Sequence, residues 1–233
     1  MARGSSARPA TVQTMVSPGH RRGRLAVLSG TAVLAGALTM LAGLIAAPGP
    51  WTQGYVSEAG TAGMPLAVAY RWGLAGLALG VALLGRALHH DSRPVAMLLG
   101  GAAVLAATSG AVPCTGGCPL PPYESTTVAD VTHTVASVVG MVVLTGAMAL
   151  IALSRPFDVV LRRLAATTVV VIVPLGAGLG LTMLLAGRVP LSAALERATL
   201  VVAVSWLVGT AIATATRRTR PAPERGNHAI VGR

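Results

Sequence analysis

The sequence predicts an all-α fold, a polytopic transmembrane bundle of six helices with both termini cytoplasmic. Three observations carry this reading. Of 233 residues, 53% are hydrophobic and only 11% charged, against about 25% charged in a soluble domain. The charges are confined to short stretches between apolar runs long enough to cross a bilayer. The 18 basic residues, all arginine, fall mostly on one side of the layout those runs define. A net charge of +11 would suit a nucleic-acid partner in a soluble chain. Here the arginines follow membrane topology and have almost no aromatic residues among them, so nucleic acid is excluded and membrane lipids are the expected partner. Protein partners are not readable.

Residues 1–24 hold Arg3, Arg8, Arg21, Arg22 and Arg24 and no acid, which predicts a disordered basic tail. Arg21 and Arg22 before an apolar run also fit a twin-arginine export signal. The run 25–47, however, exceeds the ~7–15 residues of a signal-peptide core, so it is read as the first span. Pro48, Gly49 and Pro50 stop it. Trp51 and Tyr55 in the following loop suit the membrane interface. The second span, 65–88, carries Arg71 between Tyr70 and Trp72. Its Gly76 and Gly80 form a small-xxx-small pair that permits close helix approach. Arg86, His89, His90, Asp91 and Arg93 make a charged loop, and Pro94 opens a third span at 95–112. A loop rich in proline and glycine, with Cys114 and Cys118, leads to the fourth span at 128–153. Arg155, Asp158, Arg162 and Arg163 are expected in the next loop. The fifth span, 164–187, has Pro174 at its middle, where a proline removes a backbone bond and is expected to kink the helix. The sixth, 193–216, contains Glu196, Arg197 and Trp206. Residues 217–233, with Pro221 and Pro223, read as a second disordered basic tail.

Six spans place both ends on one side. That side receives five arginines in the first tail, two around 86–93, three at 155–163 and five in the last tail; Arg71, Arg188 and Arg197 remain for the other. This asymmetry makes the tails cytoplasmic and the loops 48–64, 113–126 and 188–192 extracytoplasmic.

The fourth span holds the residues with the most chemistry. Asp130, His133 and Ser137 recur at spacings of three and four, which puts them on one helix face. His133 is the only histidine outside the tails and the 86–93 loop. It lies about 9 Å along the helix from Thr127, at ~1.5 Å per residue, still near the interface. Thr127 and Asp130 also fit a capping box, in which the acid serves the helix dipole and nothing else. The expected outward-facing pocket has His133 and Asp130 as candidate catalytic residues. Ser57, Glu58, Arg71, Ser137, Glu196 and Arg197 are its candidate ligand-binding residues. A charge at mid-membrane costs about 2.5–3.5 kcal/mol, less near the ends, so such residues pair, snorkel or line water-filled space. Arg71 with Asp130 or Glu196 could equally form a structural ion pair.

Cys114 and Cys118 face an oxidising compartment on this topology, and the glycines between them let the loop close, so a disulfide is expected. The spacing is CxxxC rather than the redox CxxC. A structural zinc site wants four ligands, more Cys and His than this face offers, so no metal and no cofactor is expected.

Val56-Ser57-Glu58-Ala59-Gly60 at the end of the first outer loop, His133 early in the fourth span, and Leu195-Glu196-Arg197 opening the sixth carry a resemblance. The chain resembles an uncharacterised bacterial six-helix membrane family, domain of unknown function 998, over roughly residues 25–215. The resemblance implies six helices and no assigned activity. A lesser likeness is to seven-helix membrane hydrolases such as alkaline ceramidases, which use Ser, Asp and His around zinc. This chain departs from them in having one intramembrane histidine and no terminal histidine pair. Three functions fit. One is an integral membrane protein whose pocket takes a lipid headgroup or small ligand. The second is a small transporter or permease. The third is a membrane-embedded hydrolase of lipid or envelope substrates, with His133 as base and Asp130 orienting it.

Overall fold

A computed structural model describes residues 18–50, 53–120 and 123–217. Six helices, each long and apolar enough to cross a membrane, account for most of them, and there is no strand among the described residues. They are α1 (Pro18–Ala46), α2 (Ala67–Leu88), α3 (Arg93–Ala111), α4 (Val128–Leu153), α5 (Val159–Ala186) and α6 (Pro190–Thr216), with a short 3-10 turn at Val56–Gly60. Trp51, residues 1–17 of the first basic tail and the second tail beyond Arg217 lie outside the described residues.

The helix ends follow local chemistry. α3 starts where the Ser92 hydroxyl accepts from the amide of Val95 at 3.4 Å, with Pro94 in the first turn. The α4 bounds are those expected, set by the Thr127–Asp130 capping box: Thr127 Oγ1 accepts from the Asp130 amide, and Asp130 Oδ2 accepts from the Thr127 amide at 2.8 Å. Four helices begin earlier than the apolar runs: α3 by two residues, α6 by three, at Pro190 inside the expected 188–192 loop, and α1 and α5 by more. α1 extends back through Arg24, Arg22 and Arg21 to Pro18, so residues 18–24 are helical rather than tail. α5 begins at Val159 because Asp158 caps it, accepting from the Leu161 amide at 2.9 Å. Arg162 and Arg163 are thus in the first turns of α5, not in a loop. Hydropathy marks the membrane core, whereas caps mark the helix. α5 runs without interruption through Pro174.

Each helix packs on the next, and α6 returns to α1, so the six close a ring. The α1–α2 crossing is the tightest. A Cβ on Gly73 would lie 2.8 Å from the Gly36 carbonyl oxygen, and one on Gly80 2.9 Å from that of Ser29. Ser29 Oγ donates to the Gly80 carbonyl at 2.7 Å across this seam. The main core lies where α2, α3, α4, α5 and α6 meet, around Leu84, Leu99, Met148, Leu161 and Trp206. The outer faces carry exposed Val and Leu, such as Leu38, Val142, Val170 and Leu185, as a lipid-facing surface requires.

One end of the ring is fastened by charge. Arg22 forks onto Asp91, with Nη1 donating to Oδ1 at 2.9 Å. Arg217 reaches Asp91 at 3.3 Å and Asp158 at 2.5 Å. These contacts gather the start of α1, the α2–α3 and α4–α5 connections and the end of α6. The opposite end carries the 3-10 turn, the cysteine loop and the short α5–α6 connection.

Candidate functional site

At this loop end the ring encloses a cavity of about 540 Å³, within the ~300–1,000 Å³ typical of small-molecule sites. Its body is apolar, with Leu74, Leu77, Ala102, Met141, Ile172 and Leu200 among its walls. Its polar groups include those of Tyr70, Ser109, His133, Ser137, Glu196 and the loop residue Ser57. No arginine lines it among the described residues.

Ser57, His133, Ser137 and Glu196 are the expected site residues that the fold brings to this cavity. His133 stands on the second turn of α4, buried against the end of α3. Its Nδ1 lies 2.9 Å from the Ser109 carbonyl and 3.1 Å from that of Val112. Carbonyls only accept, so Nδ1 carries the hydrogen. These are carbonyls of the last helical turn and the C-cap of α3, which lack partners within the helix. Nε2 has no hydrogen-bond partner among the described residues and is not sealed off, and the ring lines the cavity. Beside it, Ser109 Oγ and Ser137 Oγ are 2.8 Å apart. Glu196 Oε2 accepts from the Val56 amide at 2.7 Å, which ties the 3-10 turn to α6. Ser57 Oγ lies 3.4 Å from Cys118 Sγ.

The other four expected residues are spent on the loops. Asp130 accepts from the Thr115 amide at 2.6 Å, from the Thr115 hydroxyl, and from Thr127. None of its hydrogen bonds goes to His133. Glu58 pairs with Arg188 and accepts from the Tyr55 amide at 2.8 Å. Arg71 donates to the Gly60 carbonyl at 2.9 Å, while Trp72 beside it is exposed. Arg197 donates to the Gly54 carbonyl at 3.0 Å. The contacts of Glu58, Arg71 and Arg197 fix the loop between α1 and α2 as a cover over the cavity.

Cys114 and Cys118 are joined as a disulfide. Together with Tyr55 and Leu120 they form a small apolar cluster that roofs the cavity. Tyr55 is therefore turned inward rather than toward the membrane interface. Burial pushes its hydroxyl above the usual value, so it stays a donor, toward the Gly187 carbonyl, and accepts from Ser192 at 3.3 Å. The reading from sequence missed Tyr70 and Ser109. Tyr70 is almost wholly buried against Gly60 and Gly43, and its hydroxyl has no hydrogen-bond partner among the described residues. Ser109 had one signal: a serine near the end of α3 lies level with residues near the start of its antiparallel neighbour α4. Among the described residues no three His, Cys, Asp or Glu side chains stand together as a metal would need.

The sequence profile of the family described as "Protein of unknown function (DUF998)" matches residues 20–213. No curated protein and no solved structure matches the chain.

Proposed function

From the premise that this chain belongs to the family "Protein of unknown function (DUF998)", we propose that it is a multi-pass membrane protein that holds an amphipathic small molecule or lipid headgroup in its intrabundle cavity. One observation carries the reading. A largely apolar chamber is lined at one end by polar side chains, among them His133, Ser137, Tyr70 and Glu196, and the His133 Nε2 and the Tyr70 hydroxyl have no hydrogen-bond partner among the described residues, which leaves them for a ligand. Binding is favoured over hydrolysis because Asp130 is spent on Thr115 and Thr127, so it does not orient His133 as a general base requires. The excess of arginine at the tail end supports tails on the cytoplasmic side and a cavity that faces outward. A C-terminal reporter active only outside the cytoplasm should be silent, and its activity would reverse this orientation.

The test of binding is quantitative mass spectrometry of small molecules and elements recovered from purified protein. Wild type is compared with His133→Ala and with Ala106→Phe, which fills the chamber. An amphiphile retained by wild type and lost from Ala106→Phe is expected. Equal recovery from both proteins would sink the reading.

A further inference from the structure

The cavity is not closed all round, and its charge is one-sided. α4 and α5 touch least among neighbouring helices of the ring, and α5 has the least buried span. Where they face each other, Val138 and Val142 on α4 and Val173 on α5 both line the cavity and stand open at the outer surface, at 52%, 66% and 51% exposure. Gly176 and Gly180 lie on the same cavity wall, and a Cβ on either would meet no atom within 4 Å. The gap therefore runs from the chamber to the surface that meets lipid tails. At the polar end the charged side chain that lines the cavity is Glu196. The loop arginines are turned elsewhere: Arg188 to Glu58, Arg71 to Gly60, Arg197 to Gly54.

We infer that the occupant is a membrane-borne single-chain amphiphile with an uncharged or cationic head, admitted sideways from the bilayer between α4 and α5. This deepens the binding reading and rests on it. An apolar tail crosses the gap without leaving hydrocarbon. A hydroxyl or amine head then meets the Glu196 carboxyl, His133 Nε2 and the Tyr70 hydroxyl. An anionic head would meet the Glu196 carboxyl with no arginine among the described residues on the cavity wall to pair with, and like charges at close range cost several kcal/mol.

The experiment uses the full chain in lipid nanodiscs with three probes that share one tail: hexadecylamine, hexadecanol and hexadecyl phosphate. Binding is read from the rise in melting temperature with probe concentration, and its rate by stopped-flow displacement of a fluorescent fatty amine. Amine and alcohol should bind, and the phosphate on the order of tenfold or more weaker. Glu196→Gln, whose amide oxygen can still accept from Val56, should erase the advantage of the amine over the alcohol. Gly176→Leu and Gly180→Leu should slow binding of the amine and the alcohol while leaving the ligand-free melting temperature equal to wild type or higher. Phosphate binding as tight as the amine, or an amine advantage that survives Glu196→Gln, overturns the assigned head. Wild-type binding rates in both leucine variants overturn the lateral route. If wild type binds none of the probes, the cavity reading fails and this inference with it.

Discussion

His133 Nδ1 sits 2.9 Å from the main-chain carbonyl of Ser109, and the ring thereby closes the end of α3 with a side chain from α4. The same histidine is both a structural tie and a wall of the cavity. Its Nδ1 face is committed to protein, and its Nε2 face is not.

These two roles separate by substitution. His133→Ala leaves the buried carbonyls of Ser109 and Val112 without their donor, which should cost about 1–3 kcal/mol. His133→Asn keeps an N–H donor of similar reach and should recover much of that stability, seen as a higher melting temperature than the alanine variant. It lacks the acceptor at Nε2, so ligand retention should stay low in both. Retention that follows stability from alanine to asparagine would leave Nε2 with no part in binding.

The α1–α2 seam makes a second prediction, because two glycines of similar sequence context have opposite surroundings. A methyl on Gly73 runs into main-chain atoms of α1, the Gly36 oxygen at 2.8 Å and the Met40 nitrogen at 3.1 Å. Backbone cannot step aside, so the helices must part, and Gly73→Ala should destabilise by about 1–3 kcal/mol. Gly100, inside α3, has nothing within 4 Å of a Cβ. Gly100→Ala should be neutral or stabilise by about 0.5–1 kcal/mol through helix propensity alone. Thermal melts of the two variants in one detergent check the contrast. A Gly73→Ala protein as stable as wild type would mean that the crossing is looser than the structure has it.

Hydropathy and proline placement made the six spans legible, since length and apolarity are properties of one segment at a time. The Thr127–Asp130 cap was legible for the same reason. The site was half legible. Polar residues near one end of the spans could be found, but whether each faces the cavity or a loop depends on helix rotation and on where the loops fold back. Asp130 and His133 share a helix face in the sequence pattern. The loop residue Thr115 claims the first, and α3 carbonyls claim the second. Neither partner has a sequence signature. Arg188 and Glu58 are 130 positions apart, and only the closed ring brings them together. Tyr70 and Trp72 flank Arg71 in the sequence, yet residues two positions apart on a helix point about 200° apart. One therefore enters the bundle and the other faces lipid.

Asp158 permits a prediction about acid, because it is both the cap of α5 and a partner of Arg217. Burial alone would raise its carboxyl. The Leu161 amide and the Arg217 guanidinium outweigh that effect and hold it below the usual carboxylate range. A carboxyl lowered by folding stabilises the folded chain fully above its unfolded value, about 3.9, and loses that contribution as pH falls through the lower folded value. Asp158→Asn keeps a side-chain oxygen for the Leu161 amide, since asparagine caps as well as aspartate, but it removes the charge from Arg217. The melting temperature of wild type should exceed that of Asp158→Asn at pH 5–7, and the gap should close as pH falls below about 4. Two melting curves that run parallel at every pH would show that the cap acts through its hydrogen bond alone. The Arg217–Asp158 contact would then be a neutral feature of the surface, as exposed ion pairs commonly are.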